Sequence, residues 1–217
     1  MPDSLASRNI RDLKDLPHGT EVFVDTNIFH YHFERRSDTC TAFLLRVAQR
    51  EITAYVNVQI LSDLLHKLML AEAVNRHYVN DDDAGQLKRY LGNCRTNAQG
   101  PRLEDYQTQF ENILKIGLRV LPMNENLLKD TIRERKKYYL MVGDSLHLGT
   151  MNRRRVKNRE VPLQHIVTHD KDFMFVPDLT IWKPFDIVLR AQASTPPSLP
   201  ASTLALAPVY RNRNAHP

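Results

Sequence analysis

The apolar positions of this chain fall into short continuous runs and longer stretches with helical spacing. Short apolar or β-branched runs at Val22–Val24, Ile52–Val56, Arg119–Leu121, Ile166–Thr168 and Leu179–Trp182 predict strands. Between them, apolar residues recur at three- and four-residue steps. Helices are predicted over Asn27–Phe33, Thr39–Gln49, Val58 to about His77, Ala84–Leu91, Glu104–Ile116, Asn124–Tyr138 and Asp144 to about Arg154. A further short helix is predicted at Ile10–Leu16. The strongest pattern is Val58–His77. Leu61, Leu64, Leu65, Leu68 and Met69 form its apolar stripe, while Gln59, Asp63, His66 and Lys67 share the other face.

Punctuation fits these elements. Asn124 opens a helix as its cap, and Asp81-Asp82-Asp83 caps the helix that starts at Ala84. Residues 92–102 read as a loop ending in Gly100-Pro101, Pro122 closes a strand, and Gly143 breaks the pattern before Asp144. Strands that alternate with helices predict an α/β fold of three layers, with a mostly parallel central sheet flanked by helices.

A length of 217 residues with 42% hydrophobic residues suits one generous domain. Residues 1–20 read as a polar extension and 21–190 as the domain, with a helical insertion within 77–105. From 191 to 217 five of the twelve prolines occur among Ser, Thr and Ala with no acid, which predicts a disordered tail. No apolar run reaches the eighteen or so residues of a membrane span, and the start lacks the pattern of a signal peptide, so a cytoplasmic protein without a membrane partner is expected. Cys40 and Cys94 have neither redox nor zinc spacing and read as reduced thiols.

The net charge of +5 is unevenly spread. Between Arg133 and Arg159 nine lysines and arginines stand against Glu134 and Asp144 alone. A basic stretch around one acid points to an anionic partner, and nucleic acid fits. The candidates for phosphate contact are Arg135, Lys136 and Lys137 on one side of Asp144 and Arg153, Arg154 and Arg155 on the other. A solvated helix face is the competing reading.

The acids carry the chemistry. Asp25 ends the run Val22-Phe23-Val24, and Asp170 follows Ile166-Val167-Thr168-His169, so both fall at the carboxyl ends of strands. In an open parallel sheet that edge is where ligand sites form. Like charges gathered there repel unless a cation or a shared proton relieves them. Asp63, early in a helix after a strand, and Asp144, opening another, point to the same edge, with Asp172 as a possible fifth member. Hard cations such as Mg²⁺ or Mn²⁺ take oxygen ligands and promote phosphoryl chemistry. Each acid alone has another reading. Asp25 or Asp144 can be a helix cap, Asp63 an exposed helix residue, and Asp170 and Asp172 turn residues.

Four segments together resemble the PIN-domain ribonucleases, with VapC-type toxins of toxin–antitoxin pairs as the nearest kin. They are Val24-Asp25-Thr26-Asn27, the acid within Ile60-Leu61-Ser62-Asp63-Leu64-Leu65-His66, the helix opening Gly143-Asp144-Ser145-Leu146-His147-Leu148-Gly149-Thr150, and Ile166-Val167-Thr168-His169-Asp170-Lys171-Asp172-Phe173. The resemblance spans roughly Glu21 to Val188. It implies a PIN-like parallel sheet and a Mg²⁺- or Mn²⁺-dependent endoribonuclease that hydrolyses RNA. The acids Asp25, Asp63, Asp144 and Asp170 would be catalytic and metal-binding, with Asp172 as an additional metal ligand. Asn27 and Thr168 match the polar helpers. It also implies an antitoxin partner, and a homodimer is possible. The chain departs from the family pattern in having Asp63 where Glu is usual and in the long interval between Asp63 and Asp144. A non-cleaving PIN-like module that binds RNA or a protein is the alternative.

Other chemistries find little support. Seven glycines are scattered singly, so there is no phosphate loop or dinucleotide fingerprint, and no G-x-S-x-G occurs. The nine histidines show no zinc spacing. His169 reads as a rim or packing residue and His147, one turn after Asp144, as structural. Tyr138 and Tyr139 beside the lysines can stack on bases or pack in the core.

Overall fold

A computed structural model describes residues 9–80, 84–96 and 103–188. The Asp81-Asp82-Asp83 cap, most of the 92–102 loop and the proline-rich tail lie outside the described residues. Six strands form one sheet: β1 (Ile10–Asp12), β2 (Glu21–Val24), β3 (Thr53–Asn57), β4 (Arg119–Leu121), β7 (His165–Val167) and β8 (Thr180–Lys183). Their order is β1-β8-β7-β2-β3-β4, and every neighbouring pair is parallel. Parallel strands need long crossovers; β7 joins β8 through a 3₁₀ turn at Asp172–Phe175, and the connections from β2 to β7 are α-helical. They are α1 (Thr26–Phe33), α2 (Asp38–Ala48), α3 (Val58–Asn75), α4 (Ala84–Thr96), α5 (Asp105–Lys115), α6 (Glu125–Asp130), α7 (Ile132–Tyr138) and α8 (Val142–Asn152). The expected α/β architecture of a parallel sheet flanked by helices is the one observed.

The central strands are buried on both faces, as a sheet covered by helices on both sides requires. Val22, Phe23, Val24, Ile166 and Val167 are fully buried. The long helix α3 starts at Asn57, whose Oδ1 accepts the Ile60 N–H at 3.0 Å. Its core-facing residues are Ile60, Leu64 and Leu68: Leu64 and Leu68 belong to the stripe read in the sequence, Ile60 joins them, and Leu61, Leu65 and Met69 are only partly buried. Gln59, Asp63, His66 and Lys67 lie on the side facing the carboxyl edge of the sheet. Further along α3, Glu72 is buried and accepts the Glu104 and Tyr106 N–H groups at 3.0 and 2.8 Å, so it caps α5 from a neighbouring helix. The helix α4 extends to Thr96, five residues beyond its expected end. It packs Leu87 on a small separate cluster with Leu70, Ala73 and Val79.

Other differences have local causes. Ile10–Asp12 is a strand and Leu13–Asp15 a 3₁₀ turn, where a short helix within a polar extension was expected. Ile10 sits opposite Ile181, and Leu13 and Leu16 are buried in the core. The helix expected over Asn124–Tyr138 is broken at Thr131, which is buried and gives its hydroxyl to Leu128 O at 3.0 Å. The helix α8 packs against that break through Gly149, where a Cβ would come within 2.5 Å of Thr131 Cγ2. Gly143 lies inside the first turn of α8. The chain breaks earlier, at Tyr139, which adopts a left-handed backbone (φ 57°). After α8 the chain forms a hairpin, β5 (Arg155–Val156) with β6 (Arg159–Glu160). Its two turn residues, Lys157 and Asn158, have φ of 49° and 65°, the pairing that a tight two-residue hairpin needs.

Candidate functional site

Strands β2 and β7 lie side by side at the centre of the sheet, with Val24 opposite Val167. From β2 the chain proceeds outward to β3 and β4, then returns to β7 on the other side of β2. A crevice forms at the carboxyl edge of a parallel sheet where the strand order reverses in this way. Asp25 and the segment Thr168–Asp170 emerge there.

Asp25 occupies the position before the first turn of α1, but its side chain does not cap that helix. Instead its Oδ2 accepts the Thr168 hydroxyl and the Asn27 amide, each at 2.6 Å. Asn27 Nδ2 also lies 3.2 Å from Thr168 Oγ1, and Asn27 Oδ1 accepts the His169 N–H at 3.3 Å. The Asp170 N–H donates to Thr168 Oγ1 at 3.0 Å, and Asp170 Oδ1 accepts the Asp172 N–H at 2.9 Å. Asn27 and Thr168 therefore tie the start of α1 to the turn after β7 and fix two acids relative to each other.

Asp144 enters from the first turn of α8. Its side chain is no cap either, since Met141 holds the capping position. Carboxylate oxygens of Asp144, Asp170 and Asp172 lie within 4.8 Å of one another. Asp25, Asp63, Asp144 and Asp170 all line one open cavity of about 370 Å³. Asp63 reaches it from α3 as an exposed side chain. The five acids named from the sequence thus divide into a close trio, Asp25 linked to Asp170 through Thr168, and Asp63, which lines the same cavity outside the trio. Thr26, Gln59, His66, Lys67, Gly143 and His147 complete the lining. Their shared face on α3 was the signal in the sequence for Gln59, His66 and Lys67.

The electrostatics match this crowding. Burial, reinforced by repulsion from Asp170, Asp172 and Asp25, pushes the Asp144 carboxyl up to about 6. Burial also raises Asp25, against the opposing effects of the Thr168 bond, the Thr26 backbone N–H and Lys67. His147 is buried, and burial holds it down at about 4 although Asp63 pulls the other way. His169 is half-buried beside Tyr31, with its Nδ1 at 3.3 Å from the Tyr31 hydroxyl. Burial and the charges of Lys183, Lys171 and Arg36 lower its pKa.

A set of carboxylate oxygens with no sulfur suits a hard divalent cation. Among the described residues Asp144, Asp170 and Asp172 form the only group of this kind, and Asp25 is near enough to add a charge. Burial is the main cause of the raised Asp25 and Asp144 carboxyls, and the added repulsion from Asp170, with Asp172 and Asp25 at Asp144, is the part that a cation would relieve. The donor set fits Mg²⁺ or Mn²⁺.

The two basic clusters are differently placed. Arg135, Lys136 and Lys137 form the last turn of α7, whose end leads through Leu140 and Met141 into the cavity wall at Gly143. Lys136 and Lys137 are exposed and Arg135 is half-buried. Arg153–Arg155 follow the far end of α8, about 14 Å along the helix axis from Asp144. Arg154 departs from the expectation of phosphate contact. It is 6% exposed, pairs with Glu21 at the amino end of β2, lies over the Tyr55 ring and donates to Val161 O at 3.2 Å. It is a structural residue of the opposite edge. Arg153 pairs with Asp130, and Arg155 lies 3.6 Å from Glu160 across the hairpin.

Among the described residues no helix is long and apolar enough to cross a membrane. The family model described as PIN domain matches residues 22–178. No curated protein matches the chain. Among solved structures, the crystal structure of VapBC2 from Rickettsia felis bound to a DNA fragment from their promoter is 15% identical. The match covers 76% of this chain and 98% of that one, with a TM-score of 0.45.

Proposed function

The chain belongs to the PIN-domain family, and on that premise we propose that it is a Mg²⁺- or Mn²⁺-dependent endoribonuclease of the VapC toxin type, hydrolysing RNA phosphodiester bonds. The observation that carries this reading is the meeting of Asp25, Asp63, Asp144 and Asp170 around one cavity, with three carboxylates close enough to share an ion.

Asp144, Asp170 and Asp172 would hold the ion, with Asp25 and Asp63 as further carboxylates of the same site. When bound, the ion supplies Lewis acidity towards a phosphoryl oxygen and towards water. The remaining work falls to the chain's own residues. Thr168 and Asn27 hold the Asp25 carboxylate on its Oδ2 side and keep it from turning to cap α1. Lys67, the cavity's lysine, offers a charge to an RNA phosphate. Arg135, Lys136 and Lys137 take flanking phosphates as the strand leaves the cavity. A cognate antitoxin is the protein partner that this reading implies, and a small DNA-binding reading frame beside the gene would support it.

The test is cleavage of total cellular RNA with Mg²⁺ or Mn²⁺, comparing wild type with Asp25→Asn and Asp144→Asn and using EDTA as control. Asn at residue 25 retains an oxygen to accept from Thr168 and Asn27, so the fold should persist while cleavage is lost. Metal-dependent activity that persists in both variants would refute the assignment. A purified wild type that binds RNA but cleaves none of it would favour the non-cleaving module.

A further inference from the structure

His147 lines the acid-bearing cavity, and the hydrogen bonds behind it determine which of its nitrogens carries the proton. Asn57 is fully buried at the end of β3, and its Oδ1 is taken by the Ile60 N–H at 3.0 Å. Its Nδ2 must therefore face the other way, where it meets His147 Nδ1 at 3.1 Å and Thr150 Oγ1 at 3.3 Å. Thr150 gives its own proton to Leu146 O at 2.6 Å, so its oxygen is free to accept from Asn57. The two N–H bonds of one amide thus go to Thr150 and to His147, and His147 Nδ1 accepts. In a neutral imidazole the proton is then on Nε2. The ring is buried and packs at 5.7 Å from the Phe23 ring, which holds its plane. Among the described residues Nε2 has no hydrogen-bond partner.

We propose that His147 is a substrate-contacting residue, an uncharged donor whose Nε2–H binds a non-bridging oxygen of the RNA phosphate in the cavity, positioned by Asn57. The inference rests on the phosphodiesterase reading above. A histidine among carboxylates is usually suspected as a metal ligand or a general base, and both roles need a bare nitrogen facing the cavity. Here the bare nitrogen faces Asn57, and turning it outward would set an imidazole N–H against an amide N–H. Among the cavity's acids Asp63 is the one whose charge acts on His147, but among the described residues no hydrogen bond joins the two, and the Asp63 side chain is exposed. A neutral donor has one advantage over a lysine beside Asp144 and Asp170. It forms no ion pair with the carboxylates and does not compete with the cation for them.

The experiment separates donor from ligand. The terminal amide nitrogen of Gln lies close to where Nε2 lies, so His147→Gln keeps a donor and His147→Leu removes it. Cleavage of a defined RNA oligonucleotide with Mn²⁺ should fall roughly ten- to a hundredfold in His147→Leu. It should stay within about threefold of wild type in His147→Gln. Mn²⁺ affinity by calorimetry should be unchanged in both. In ¹⁵N spectra of histidine-labelled wild type, the His147 ring should be neutral and protonated at Nε2, and that signal should move when inorganic phosphate is added with Mg²⁺. Asn57→Ala should let the Nδ1-protonated form appear. Equal cleavage in wild type and His147→Leu, loss of Mn²⁺ affinity in His147→Leu, a proton on Nδ1, or a signal indifferent to phosphate would each overturn the proposal. A wild type that cleaves no RNA would defeat the endoribonuclease reading alone. The spectra would still test the donor, even if His147→Leu failed to fold.

Discussion

Asp144→Asn removes a charge that burial and neighbouring carboxylates disfavour in the metal-free site. The carboxyl sits at about 6 against 3.8 for a free aspartate, chiefly through burial and then through repulsion by Asp170, Asp172 and Asp25. At about 1.4 kcal/mol per pH unit, ionised Asp144 costs the metal-free fold about 3 kcal/mol. Rearrangement of water and ions around a half-buried group reduces this, so a gain of about 1–3 kcal/mol is expected for Asn. The direction of the pH dependence follows from a folded pKa above the unfolded one. Below 3.8 both states are protonated and Asp144 costs nothing. Between 3.8 and about 6 the cost grows with rising pH, and above that it is complete. In EDTA, thermal or urea melts should therefore show Asn more stable than wild type by about 5 °C near neutral pH. The two should converge near pH 4. Millimolar Mn²⁺ should narrow or reverse the difference, because the wild type gains more from the ion by mass action. A gap independent of pH, or an Asn variant less stable than wild type at neutral pH in EDTA, would refute the reasoning.

Further expectations concern the basic residues and Asp63. Replacing Arg135, Lys136 and Lys137 together should weaken RNA binding and reduce the salt dependence by about two in the log–log slope, measured by fluorescence titration. Unchanged affinity and slope would make that turn a solvated surface only. Arg154→Ala removes the Glu21 ion pair and the packing on Tyr55, while Glu21 keeps the Tyr55 hydroxyl at 2.8 Å, and should destabilise the fold by about 1–2 kcal/mol in urea melts. It should leave RNA affinity intact, and a loss of RNA affinity without a loss of stability would contradict its structural role. Asp63→Glu restores the longer side chain and should retain or raise metal-dependent cleavage. A sharp fall would mean that the cavity is fitted to the shorter acid.

The acids were legible because each stands at a boundary that pattern alone reveals. Asp25 ends a three-residue apolar run, Asp144 follows a glycine at a helix start, and Asp63 lies on the polar face of the most regular helix. Whether Asp25 served as a cap was not legible, since the bond that diverts it comes from Thr168, 143 residues away. The strand Ile10–Asp12 is too short to show alternation and owes its form to pairing with β8. The hairpin after α8 uses Lys157-Asn158 without a glycine, so its turn carries no strong sequence signal. Arg154 stands between two exposed arginines, and only the approach of Glu21 and Tyr55 distinguishes it from them. His147 lies one turn after Asp144, but its proton depends on Asn57, which is 90 residues away and whose first role is to start α3.

The reversal of strand order between β2 and β7 also bears on when the protein can act during its own synthesis. Asp25 leaves the ribosome early, but Thr168 and Asp170 follow some 140 residues later, and β8 must then slot between β7 and β1. At ordinary elongation rates of about 5–20 residues per second, many seconds separate the two halves of the acid cluster. Until β7 docks, Asp25 lacks the hydroxyl that turns it away from α1, and Asp144 lacks Asp170 and Asp172. A nascent chain that stops short of residue 165 lacks two of the trio, Asp170 and Asp172. The fold thus delays assembly of its carboxylates until almost all of the sheet has been made.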